Sequence, residues 1–132
     1  MNFKRLLIFL IALAALDCKS SAHHSTVAYA QNSIVLKSAT VTKLVWGHPH
    51  SILTFTIKDA KGAVTTWSAE SGSPGSLARF GWNRNSVKAG DSVTIELFPS
   101  KNGAHVGRLK KVIFPNGQEL LDSQTNQENG AR

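Results

Sequence analysis

After residue 33 an alternation of apolar and polar side chains with a period of two dominates, and a helical period is nearly absent. That alternation fixes the class, because a period of two builds half-buried strands that must bury one face against other strands. Leu53, Phe55 and Ile57 alternate with Thr54, Thr56 and Lys58, and Val93, Ile95 and Leu97 alternate with Thr94 and Glu96. Trp67 and Ala69 share a face across Ser68, which predicts a shorter strand near 63–70. Asp59-Ala60-Lys61-Gly62 separates two of these runs and reads as a hairpin loop.

The first strand, roughly 34–46, breaks its own parity. Ala39 and Val41 point one way, whereas Leu44 and Trp46 would fall on the opposite face of a regular strand. A β-bulge near Thr42-Lys43 puts all four on one face and bends the strand sharply. Long, bent first strands serve two sheets in small closed barrels. The last long strand, 105–114, slips in the same way between Leu109 and Val112. Pro115-Asn116-Gly117 then turns the chain, so that Gln118–Leu121 pairs back briefly.

One short helix is expected. Ser73 serves as N-cap, Pro74 suits the first helical position, Leu77 and Phe80 share a face, and Gly81 stops it. Lys88-Ala89-Gly90-Asp91 is the turn into the fourth strand. Three strands, a short helix and two strands is the order of the OB-fold, a five-stranded, partly open Greek-key barrel. The expected fold is therefore all-β, a small five-stranded OB-like barrel with one short helix between strands 3 and 4. An SH3-like small barrel or a sandwich satisfies the same pattern.

The N-terminus follows the export pattern. Lys4 and Arg5 give a positive start, Leu6–Leu16 an apolar run, and Ser20-Ser21-Ala22 the small residues of a cleavage site. A membrane-spanning helix needs roughly 20 apolar residues, which this run does not supply. Cys18 is the cysteine of a rival reading, lipid attachment, but charged Asp17 beside it suits that processing badly. The expected organisation is a signal peptide over 1–22, one barrel domain over 23–121 and a flexible polar tail over 122–132. Removal of that tail is expected to leave the melting temperature almost unchanged.

Cleavage after Ala22 takes 22 of 132 residues and leaves 110, enough for one modest core. Removing Lys4, Arg5, Lys19 and Asp17 takes the formal charge from +7 to +5. Moderate basicity suits phosphate groups, acidic glycans or membrane surfaces, or serves solubility alone. The mature chain keeps no cysteine, so no disulfide supports it and packing must.

All five histidines, His23, His24, His48, His50 and His105, remain after cleavage. Cleavage after Ala22 makes His23 the first residue, able to chelate through its α-amine and its own Nδ1. A second imidazole completes the histidine brace, a T-shaped arrangement that suits copper. His50 is the expected partner, with His48 or His24 as alternatives. A cut after Ser21 instead makes His24 third from the amine, and amine, two amides and that imidazole hold Cu(II) or Ni(II) in a plane. The competing reading is a polar start that binds metal only as any such peptide does.

Gly47-His48-Pro49-His50 falls between the first two strands, where Pro49 stiffens the turn and both imidazoles could face a common point. The alternative gives His50 a structural bond to backbone. Glu70, near the third strand's end, either ligates or orients a histidine, or is merely solvated. Trp46 and Trp67 are expected inside the barrel and Trp82 over one of its ends, although an exposed pair could stack on sugar rings or bases. No phosphate loop, GxSxG elbow, HExxH helix or carboxylate pair is present, so no enzyme is expected.

Several of these residues occur together in a known pattern: Ala22-His23-His24-Ser25, Val41-Thr42-Lys43 with Trp46 and Pro49-His50, and Trp67 with Glu70. Gly72-Ser73-Pro74, Leu77, Arg79, Gly81-Trp82 and Lys88-Ala89-Gly90-Asp91 complete it. In these the chain resembles, over about residues 22–121, a family of small exported Gram-negative bacterial proteins of unknown function. Members more often carry a polar residue and Asn where Gly47-His48 stands, and an acidic residue within Thr26–Gln31. The resemblance implies export and one small domain, and supplies no activity.

The functional expectation is a periplasmic binding module for copper or another divalent metal, held by His23, His24, His48, His50 and Glu70. The alternative is a metal-free interaction domain for an envelope protein or glycan. Neither nucleic acid nor a membrane anchor after cleavage is expected.

Overall fold

The computed structural model describes residues 29–124. The segments read as a leader with its cleavage site, and most of the one read as a polar tail, lie outside the described residues.

Among the described residues six strands and one helix follow in order: β1 (Ile34–Val45), β2 (Ile52–Lys58), β3 (Val64–Glu70), α1 (Pro74–Ala78), β4 (Ser92–Pro99), β5 (Val106–Ile113) and β6 (Glu119–Leu121). The sheet runs β3-β2-β1-β4-β5-β6, and a parallel pairing of β3 with β5 closes the first five strands into a barrel. That is the OB-like arrangement, with β6 attached outside.

β1 can pair with both β2 and β4 because it bends twice. Its register shifts against β2 between Val41 and Lys43, at the bulge the sequence predicts. A second shift, against β4 between Leu36 and Ala39, was not legible, and there Ser38 takes a positive φ of 55°. The slip predicted in β5 is also present, with Lys110 as the extra residue between Leu109 and Lys111.

The alternating residues point where their period requires. Leu53, Phe55, Ile95, Leu97 and Leu109 are buried in the barrel, and α1 drops Leu77 into the same core. Ser73 caps α1 by accepting from the Ser76 backbone N–H, and Gly81 follows with a φ of 86°.

Trp82, expected over a barrel end, is only 3% exposed and packs in the core. Two expectations are corrected. Trp46 and Trp67, expected inside, are half-buried at the core's margin, and Trp46 lies just beyond the end of β1. The domain's edge also moves. Asp122 and Ser123, read as the start of a polar tail, are both buried. A charged residue after a short strand looks solvated until its acceptors are seen to be used.

Candidate functional site

The loop between β1 and β2 is held to the end of β3 by backbone bonds that prolong the β2–β3 ladder. Ser71 N–H donates to Ser51 O at 2.8 Å, and Ser51 N–H donates to Gly72 O at 2.9 Å. This pairing sets His50 against Ser71. His50 Nδ1 lies 3.2 Å from Ser71 O and 3.3 Å from Glu70 Oε1. Both neighbours are acceptors, so in the neutral imidazole Nδ1 carries the proton and Nε2 the lone pair. The side chain is 35% exposed.

Glu70 also accepts on its other oxygen, from the Tyr29 hydroxyl at 2.7 Å. Tyr29 reaches it because the chain enters the barrel along the end of β4, where Tyr29 bridges Ser100 and Ala30 N–H donates to Pro99 O. Part-burial, reinforced by the Glu70 carboxylate, pushes the Tyr29 phenol up to about 12. Arg108, opposite Glu70 in the parallel β3–β5 pairing, sits with its guanidinium 4.8 Å over the Phe98 ring.

Beneath this group is a buried polar clasp. Asp122 Oδ1 accepts from Ser71 Oγ at 2.7 Å and from Gly72 N–H at 2.9 Å. Gly72 is small for a reason, since a Cβ there would meet Ser76 Oγ at 2.6 Å and would also overlap Ser123.

The expected ligands divide. His50 and Glu70 are brought together. His48 stands exposed on the same loop, and His105, outside the expected set, tilts against Trp67 with ring centroids 4.9 Å apart. His23 and His24 lie outside the described residues. Among the described residues no three of His, Cys, Asp and Glu gather as a metal group. Sequence reasoning missed Tyr29, Ser71 and Asp122. The only hint was that Tyr29 is the sole tyrosine.

A model of a family of unknown function, DUF6152, matches residues 11–110. No curated protein and no solved structure matches.

Proposed function

We propose, from the premise that the chain belongs to the DUF6152 family of unknown function, that it is an exported, periplasmic module that binds a divalent transition metal, copper first. The brace would take the amine and Nδ1 of His23 and the imidazole of His50, with His24 or His48 in support. Glu70 orients and does not ligate.

One observation carries this reading. His50 is fixed through Nδ1 by a carbonyl and a carboxylate, the outer-shell arrangement that leaves a metal-binding histidine its other nitrogen. The chain enters beside it at Tyr29, six residues after His23. Six residues reach at most about 20 Å, enough to bring the amine to His50.

The test compares protein starting at His23 with the same protein carrying an extra Met-Gly. The extension removes the α-amine from chelation and leaves every side chain. Native-start protein should bind one Cu(II) far more tightly. His50→Ala should weaken that site and His105→Ala should not. Equal, loose binding by both forms would end the metal reading.

A second reading has its own observation. The loops Trp46–Ser51 and Ser100–His105 occupy the positions from which OB-folds take their ligands, and half-buried Trp67 with His105 against it offers a ring platform. An envelope protein or glycan bound there would be indifferent to the N-terminal extension.

A further inference from the structure

We infer that Asp122 is a positioning residue for His50, acting through Ser71, which rests on the reading of His50 as a metal ligand. Asp122 is fully buried, although it follows the last strand and carries a charge. A buried carboxylate is costly unless its lone pairs are used. Here they are: Oδ1 takes Ser71 Oγ–H and Gly72 N–H, and Oδ2 takes Gln124 N–H at 3.1 Å. All three are donors, so an acceptor-only group suits the place.

The effect passes to the site through one peptide unit. Asp122 grips Ser71 by its hydroxyl and Gly72 by its amide, the group bonded to the Ser71 carbonyl. That carbonyl is the one that faces His50 Nδ1. Asp122 is itself fixed, since its N–H donates to Lys110 O at 2.9 Å and Ser123 Oγ donates to Ser76 Oγ. Without the carboxylate, the Ser71 hydroxyl and Gly72 amide are left buried without an acceptor. The peptide then turns to find one and carries the carbonyl away from the imidazole.

The experiment uses protein expressed from the full chain with its own leader. The His50 tautomer is read by long-range nitrogen–proton NMR in metal-free protein, and the affinity for Cu(II) is measured on the same sample. Asp122→Ala should raise the share of the Nε2–H tautomer and weaken Cu(II) binding by about tenfold, the lower end of what losing an outer-shell partner costs. Asp122→Asn keeps an oxygen at the Oδ1 position and should restore both. If Asp122→Ala does not fold, Ser71→Ala, which removes only the gripped hydroxyl, decides by the same signal. A folded variant with an unchanged His50 tautomer overturns the inference, whatever its copper binding. A tautomer shift in protein that binds no copper at His50 upholds Asp122 as the positioning residue and ends the metal reading instead.

Discussion

Trp82 donates its indole Nε1–H to the Leu121 carbonyl at 2.9 Å, which ties the segment after α1 to the last strand. Trp82→Phe keeps most of the apolar volume, removes the donor and leaves that carbonyl without it. We expect a loss of about 1–3 kcal/mol in urea unfolding. A loss no larger than that of an exposed substitution would mean that the bond contributes nothing.

Where the chain is cut should matter sharply. A chain ending at Leu121 loses the Asp122 clasp, whereas one ending at Gln124 keeps it. The shorter form should melt at least about 5 °C lower, since 1 kcal/mol shifts a domain of this size by roughly 4–8 °C. Equal melting temperatures would return Asp122 to the tail.

Much of the barrel was readable because its cause is local. Strand alternation, the bulge at Thr42 and the Ser73-Pro74 start of α1 are written in neighbouring residues. The second bend, at Ser38, left no such trace, because Lys37-Ser38 is a polar pair either way. Of the site, His50 and Glu70 were recognisable by chemistry, but Tyr29 and Asp122 were not. Their roles depend on partners 41 and 51 residues away in sequence, contacts that exist only once the barrel has closed.

Ser38 holds a left-handed conformation that costs a side-chain-bearing residue roughly 1–2 kcal/mol, against about 0.5–1 for the greater freedom glycine loses. Ser38→Gly should therefore gain a few tenths to about 1 kcal/mol, and Ser38→Val should lose stability. Chemical denaturation of both variants checks the sign.

Glu96 should govern part of the acid side of the stability curve. Part-burial opposes its ionisation, but hydrogen bonds from Lys110 and Ser33 and the charges of Lys110 and Lys111 outweigh that and hold its carboxyl below the ordinary 4.5. Its contribution is complete above the unfolded value and disappears as pH falls through the folded one. Glu96→Gln should therefore cost stability at pH 7 and almost none at pH 2.

The sole tyrosine permits a direct reading. In metal-free protein the phenolate absorbance should rise with a midpoint near 12. Because folding raises this pKa, stability should fall from pH 10 to 12 as the unfolded chain ionises first. Glu70→Gln should lower the midpoint but not return it to 10, since burial is the larger cause. A wild-type midpoint of 10 would separate Tyr29 from Glu70.

The parallel contact that closes the barrel is three residue pairs long, Ser68–Val106, Ala69–Gly107 and Glu70–Arg108. It is a seam. The hairpins on either side close short loops, whereas this join brings together residues 38 apart in sequence and carries the greater entropy cost. Glu70 stands on one bank with His50 beside it, and Tyr29 reaches across from the end of β4. A ligand bound there as proposed, and touching both β3 and the β4–β5 pair, would add its binding free energy to the work of parting them. Amide exchange at Val106, Gly107 and Arg108 should slow in proportion to occupancy, making the seam a gauge of the site.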